Sequence, residues 1–437
     1  MRNPSALTCL FVLIMAIPSP AVAQDRLTSD EMHLVSFVED RIEESVDLLE
    51  RVVNINSGSM NFEGVREVGG VFAEELEALG FETEWIDGSP FNRAGHLFAR
   101  RGTVGPHFVL IGHLDTVFEP DSPFQEFVRI DDTTASGPGV IDMKGGDIVM
   151  LEALRALREA GSLDRMTVTV ALIGDEESSG DPLEVGRQAL VDAAGAADVA
   201  LAFEPGDGDP TTAVIARRGF TGWELRTTGR RAHSSAIFSD DVGYGAINEA
   251  ARILVGFYEA MADEELVTFN PGIMLGGSTI TYDDQTERGT AEGKTNVISP
   301  GAVVAGDLRT ISPESNASVK ERMRAVVEDH LPGTSATIEF RDSYPPMAPT
   351  EGNRRLLAML DEASRDLGYG PVAAVDPANA GAADVSFAAN HVDMALDGLG
   401  LLGDGTHSAE ETADLTTFPM QIKRTALLMH RVALGWE

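Results

Sequence analysis

The chain has 437 residues, 43% hydrophobic and 24% charged, with a net charge of −37 and a single cysteine, Cys9. That length suits two or three domains with ample buried core, and the composition is that of an ordinary folded protein. The charge excludes a broad nucleic-acid or anionic-membrane surface, and one cysteine excludes a disulfide framework, a Cys-rich zinc site and a CxxC redox centre.

Residues 1–23 carry Arg2, an apolar run from Cys9 to Ile17, Pro18, Pro20 and then Ala21-Val22-Ala23. This is the pattern of a cleaved signal peptide, which predicts an exported protein, periplasmic or secreted, whose mature form has no thiol. No later run of 18 apolar residues exists, so no membrane span is expected. From Leu34 the apolar positions Val38, Ile42, Val46, Leu49 and Val53 step by three or four, predicting one amphipathic helix. Val65, Val68, Phe72, Leu76 and Leu79 predict another, closed by Gly80. Strands are expected at 81–86, 96–100 and 108–111, a helix from Lys144 to a cap at Gly161, and strands at 166–173 and 199–203. Such alternation predicts an α/β fold with a mostly parallel sheet flanked by helices.

Near residue 214 the rhythm changes. A strand at 214–228, a helix at 244–261, strands at 267–282 and 295–309, a helix at 313–331 and a strand at 336–340 give the order β-α-β-β-α-β, a ferredoxin-like α+β unit. Thr281–Lys294, rich in Asp, Thr, Glu and Gly, reads as a flexible excursion. After Tyr344-Pro345-Pro346 the α/β pattern returns, with a helix near 356–367 and a strand around Val372. The expected organisation is a signal peptide at 1–23 and a catalytic domain in two parts, 24–213 and 343–437. The small domain, 214–342, interrupts it.

Nine histidines among 70 acidic residues produce chance His-x-acid pairs, so context must separate them. His113-Leu114-Asp115 closes the apolar run 107–112, at the carboxyl end of a buried strand. On an extended backbone Asp115 shares a side with His113 and is placed to orient its imidazole. His391-Val392-Asp393 lies in a polar connection and reads as incidental. Asp142, in Gly137-Pro138-Gly139-Val140-Ile141-Asp142, precedes a helix; Glu176 and Glu177 follow one strand, and Glu204 ends the next. Ligands of open α/β sheets bind beyond these strand ends, and acids gathered there repel one another unless a cation compensates them. Divalent metal is the physical remedy. His407, between glycines in Gly403-Asp404-Gly405-Thr406-His407, is a further candidate. The formal dinucleotide match Gly398-x-Gly400-x-x-Gly403 is set aside, because turn residues and no helix follow it.

The set His113-Leu114-Asp115, Gly139-Val140-Ile141-Asp142, Asp175-Glu176-Glu177, Phe203-Glu204-Pro205, Ala232-His233-Ser234, Thr295-Asn296-Val297 with Asp307-Leu308-Arg309, and Gly405-Thr406-His407 resembles the cocatalytic di-zinc exopeptidases. That family includes glutamate carboxypeptidases, aminoacylases and succinyl-diaminopimelate desuccinylases, and the resemblance is nearest the glutamate carboxypeptidase branch. It implies one zinc held by His113 and Glu204, a second by Glu177 and His407, and Asp142 bridging them. His and carboxylate ligands suit Zn²⁺ and also accept Co²⁺ or Mn²⁺. Glu176 is implied as the general base, and His233 as the hydrogen-bond donor to the oxyanion, often from the partner subunit of a homodimer. Arg309 and Asn296 are implied to hold the substrate's free carboxylate. Arg217, Arg218, Arg230 and Arg231 would supply local positive charge, and the Asp142–Met143 peptide is expected to be cis. The implied activity is hydrolysis of an amide bond beside a free carboxylate, on a small peptide or N-acyl amino acid. An aminoacylase-like amidohydrolase and a non-catalytic peptide-binding homologue stand as alternatives, the intact Glu176 weighing against the second. Departures at Ser234–Asp241, Ser178–Pro182 and Gly381-Ala382-Ala383-Asp384 bear on substrate identity.

Overall fold

The computed structural model describes residues 26–284 and 286–436; the expected leader at 1–23, with Cys9, lies outside the described residues. Helix α1 (Ser29–Glu39) starts at Thr28, whose hydroxyl accepts the Glu31 N–H while the Glu31 carboxylate accepts the Thr28 N–H, a reciprocal cap. The single helix expected from Leu34 to Val53 is two, because α2 (Ile42–Val53) begins only after Arg41, at φ −115° and ψ 2°. The break swings Arg41 Nε to within 3.1 Å of Glu152 and lets both helices pack on the helix that carries Glu152. The four-residue step from Val38 to Ile42 keeps the apolar rhythm across the break, which is why periodicity does not reveal it. Helix α3 (Phe62–Ala78) ends as expected, with Gly80 in the left-handed region.

Then follow β1 (Glu82–Asp87), β2 (Gly95–Arg101), β3 (His107–His113), α4 (Lys144–Glu159), β4 (Thr167–Ile173), α5 (Leu183–Ala194) and β5 (Val199–Ala202). The smaller unit contains β6 (Gly219–Gly229), α6 (Ala246–Met261), β7 (Thr268–Gly277), β8 (Thr279–Asp283), β9 (Arg288–Glu292), β10 (Gly301–Thr310), α7 (Pro313–Glu328) and β11 (Thr334–Asp342). The chain closes with α8 (Glu351–Asp366), β12 (Met394–Leu396) and α9 (Phe418–Leu434).

Among the described residues the main sheet has the order β1-β2-β4-β3-β5-β12. Strands β4, β3, β5 and β12 pair in parallel, and β2 runs against its neighbours. Alternate residues of the central strands feed two cores. Phe108 and Leu110 join the helices α1 to α4 and α9, while Val109 and Ile111 join Leu190 of α5 and Val385. Burial of both strand faces is what the unbroken apolar runs of a parallel sheet require. Helices α5 and α9 go beyond the elements read from the sequence. In α9 nearly every position is buried, Lys423, Arg424 and His430 included, so no polar stripe advertises it.

The second sheet is antiparallel, in the order β7-β10-β6-β11. Trp223, Leu225, Val304 and Leu308 on one face pack under Phe257 of α6 and Met323 of α7. This is the ferredoxin-like arrangement. Several bounds differ from expectation: the strand expected at 267–282 is two, β7 and β8, and the one expected from Thr295 begins at Gly301. Residues 214–218 precede β6 and make isolated bridges to Asp397 and Met347. Thr281–Lys294 is not an irregular excursion: most of it is the β8–β9 hairpin, with Thr281 and Thr290 Oγ1 atoms 2.7 Å apart across the pair. Its polar composition reflects exposure of the strands.

Candidate metal centre

His113 terminates β3, and its fully buried ring is fixed from behind: Nδ1 lies 3.0 Å from the Asp115 carbonyl oxygen. With that nitrogen donating, Nε2 presents a lone pair to the far side. There it meets Asp142 Oδ1 at 3.1 Å and Glu204 Oε1 at 3.6 Å. The other oxygen of Asp142 lies 3.1 Å from His407 Nε2, which is also 3.1 Å from Glu177 Oε2. Ligand atoms of His113, Asp142 and Glu204 therefore form one compact triad, and those of Asp142, Glu177 and His407 a second. Asp142 belongs to both.

Each member is held by a distinct local device. The Asp142 turn is anchored by the buried Glu411 carboxylate, which accepts the N–H groups of Gly139 (3.0 Å), Ile141 (2.9 Å) and Asp142 (3.2 Å). Helix α4 then starts under the site. A Cβ on Gly146 would sit 2.0 Å from the Phe203 carbonyl oxygen, so the close approach of this first turn to the end of β5 requires glycine. Glu204 is set by Asp397, which accepts its N–H at 3.2 Å and is clamped by Arg217 at 2.7 Å. His407 is the exposed member, on a left-handed residue beside Gly405. The Asp142–Met143 peptide is cis.

The geometry gives the contact of Asp115 with His113 to a particular atom. Its carbonyl, not its carboxylate, orients His113; Oδ1 stands 3.6 Å from Nδ1. The carboxylate instead accepts the N–H of Glu176 (3.0 Å), the N–H of Glu177 (3.1 Å) and the Ser59 hydroxyl (2.6 Å). Burial raises it to about 6 even so.

The residues fit divalent cations on two counts. Among the described residues Glu177 Oε1 is buried without a hydrogen-bond partner, an orphan that a cation would satisfy. The carboxylates also draw in positive charge: bonds to Asp142 and then Glu177 raise the His407 imidazole to about 10. Burial opposes protonation of His113, yet its bond to Asp142 and the charge of Glu204 hold it well above its ordinary value. Asp142, although buried, is held below the usual carboxylate range by the two imidazoles. Burial pushes Glu176 up to about 8, with Asp384 among the charges that add to it.

A cavity of about 430 Å³ opens over this cluster, lined by Asp142, Glu176, Glu204, Arg217, Ala383 and His407. Glu176 faces it while belonging to neither triad. His233, Asn296 and Arg309 do not line it. His233 is exposed, with Nδ1 2.9 Å from Ser235 Oγ, and bridges to Val297 beside Asn296. Arg309 lies 4.6 Å over the Phe220 ring with Nε on Asp307, in a separate cavity of about 620 Å³ on the second sheet. Of the four arginines expected to supply positive charge, Arg217 is buried on Asp397, Arg230 pairs with Asp241, and Arg218 donates to Thr268 and Ala378. Sequence reasoning did not assign Glu411 or Asp397. Glu411 stands four residues after His407, in the same motif, and that proximity is the one signal that could have found it.

Two His–carboxylate triads sharing an aspartate at the carboxyl edge of a parallel sheet define a metal-dependent hydrolase with paired ion positions. The chain belongs to Peptidase family M20/M25/M40, whose family model matches residues 109–431. Carboxypeptidase G2 of Pseudomonas sp. (strain RS-16) is 25% identical over 397 residues, 89% of each chain. Aminopeptidase PepT from Bacillus cereus ATCC 10987 shares the fold with a TM-score of 0.68 at 20% identity, covering 90% of this chain and 99% of that one. Bacillus subtilis YXEP, described as a dinuclear metal-binding peptidase of the M20 family, gives 0.62 at 15% identity over 91% and 99%. The resemblance drawn from the motifs therefore holds, and the chain is a metallopeptidase.

Proposed function

We propose that this enzyme is a carboxypeptidase of the glutamate carboxypeptidase kind, cleaving an amide bond beside a free carboxylate. The observation that carries the reading is Glu176 facing the cavity beside the two triads that share Asp142. His113 and Glu204 would hold one ion, Glu177 and His407 the other, and Asp142 both; two Zn²⁺ suit these donors, and Co²⁺ or Mn²⁺ also fit. When bound, the pair supplies Lewis-acid polarisation of the scissile carbonyl and of the attacking water. Glu176 takes the proton from that water and returns it to the departing amine. Asp115 holds the Glu176 main chain while this happens, and Asp397 holds Glu204. In this reading His233 donates to the oxyanion, and Asn296 and Arg309 receive the substrate carboxylate, for which the guanidinium fork is suited. Because none of the three lines the cavity over the triads, these roles require the smaller unit, or that of a partner subunit, to be brought to the site.

The substrate class is tested with a panel of N-acyl-glutamates and free-amine dipeptides, assayed with added Zn²⁺ and with chelator. Cleavage of N-acyl-glutamate alone, abolished by chelator, is expected. Cleavage of free-amine dipeptides alone would sink the carboxypeptidase reading, and activity indifferent to a strong chelator would sink the metal scheme.

The exposed position of His233, outside the cavity of its own chain, favours its service to the partner subunit of a homodimer. Mixing two inactive variants, His233→Ala and Glu176→Gln, should then restore activity, because the heterodimer has one site with both groups intact. No restoration after subunit exchange would place His233 within its own chain's site.

A further inference from the structure

Two strands of chain join the sheets, residues 213–219 and 342–347, and they run side by side. Arg217 and Met347 exchange both backbone hydrogen bonds at 3.0 Å, Phe220 N–H donates to Tyr344 O at 2.8 Å, and Ser343 N–H donates to Phe220 O at 3.1 Å. This paired ribbon, termed the hinge for its place in the chain, carries the smaller unit. One side chain leaves it for the catalytic interior. The Tyr344 hydroxyl donates to the Glu176 carbonyl oxygen at 3.2 Å and lies 3.1 Å from both Ser179 Oγ and Arg187 Nη2.

The seat under Tyr344 is built of buried charge. Arg187, 1% exposed, pairs with Asp175 and with Asp384 (Nε to Oδ1, 2.7 Å). The Tyr344 ring packs edge-on against Phe387 at 5.0 Å, and the Arg187 guanidinium lies 5.9 Å from the Tyr344 ring centre. Burying an arginine between two acids is an expensive way to gain stability, since apolar side chains of similar volume would serve as well. What such a cluster provides is a fixed position. Here the fixed object is the Glu176 peptide: Asp115 grips its N–H from the end of β3, and Tyr344 grips its C=O from the hinge.

We propose that Tyr344 is a positioning residue for Glu176, joining the hinge ribbon to the main chain of the base so that the orientation of the smaller unit and the aim of the carboxylate are set together. The inference rests on the reading of Glu176 as general base. A misaimed proton acceptor slows the chemical step without weakening substrate binding.

The test is Tyr344→Phe, which keeps the ring and removes the hydroxyl, assayed beside wild type and Glu176→Gln for kcat, KM, bound metal by elemental analysis, and thermal midpoint. The expected result is a fall in kcat of about tenfold, with KM and metal content unchanged. Ser179→Ala, which leaves Tyr344 in place and removes one neighbour of its hydroxyl, should lower kcat in the same sense by less, and it carries the test if Tyr344→Phe does not fold. Wild-type kcat in both variants would overturn the proposal, as would a fall that tracks lost metal or lost folded protein. Full kcat in Tyr344→Phe with an inactive Glu176→Gln removes this inference alone; an active Glu176→Gln removes the base reading beneath it.

Discussion

Glu176→Gln should lower kcat about a thousandfold, roughly 4 kcal/mol of transition-state stabilisation, while the protein still binds two equivalents of metal. The substitution is close to isosteric and removes only the capacity to accept a proton. Glu176 stands outside both triads, so their ligand atoms remain in place. The Glu176 N–H still reaches Asp115 and its carbonyl still receives Tyr344, because both contacts are made by the main chain. KM should therefore change little. Steady-state kinetics with elemental analysis of the same preparation checks both halves, and substantial activity in the metal-loaded variant would exclude Glu176 as the base.

Asp142→Ala acts on the centre itself. Asp142 meets His113 through one oxygen and His407 through the other, so its loss opens both triads at once. Activity should fall below detection, and bound metal from two equivalents to less than one. The main chain at 142 stays tied to Glu411, so the variant should fold. Wild-type protein should gain thermal stability on adding metal, since a ligand that binds the folded state stabilises it by mass action, whereas Asp142→Ala should gain almost none. Differential scanning calorimetry with and without Zn²⁺ measures the contrast; an equal gain in both proteins would show that Asp142 is not shared between the ions.

The ligand set was legible because strand ends are legible. Unbroken apolar runs mark β3, β4 and β5, and the chemistry of an open sheet gathers where they stop, which places His113, Glu177 and Glu204 together from sequence. Asp142 and His407, on connections, stood as candidates beside them, and the family resemblance was needed to sort the set into two ion positions and to separate Glu177 from Glu176. What stayed hidden has physical reasons. The Arg41 break preserves the apolar spacing, and α9 is buried on nearly all sides and so shows little amphipathic pattern. The β8–β9 hairpin is solvated and reads as loop. Spacing puts Asp115 beside His113 and says nothing of whether its carbonyl or its carboxylate makes the bond, which here is the carbonyl. Glu411 and Asp397 act on main-chain N–H groups far away in sequence, a tie that no local pattern encodes, and only the nearness of Glu411 to His407 points to either.

The two triads differ in when the growing polypeptide can complete them. His113, Asp142 and Glu204 all precede the smaller unit, whereas the second triad waits for His407. The carboxylate that grips the Asp142 turn, Glu411, arrives later still. The first triad is not independent of that later segment either, since Glu411 anchors the Asp142 turn and Asp397 holds the Glu204 main chain. The second triad is completed by the chain that follows β12, the strand paired in parallel with β5. Chemistry that needs both positions therefore requires segments from both sides of the smaller unit to be brought together.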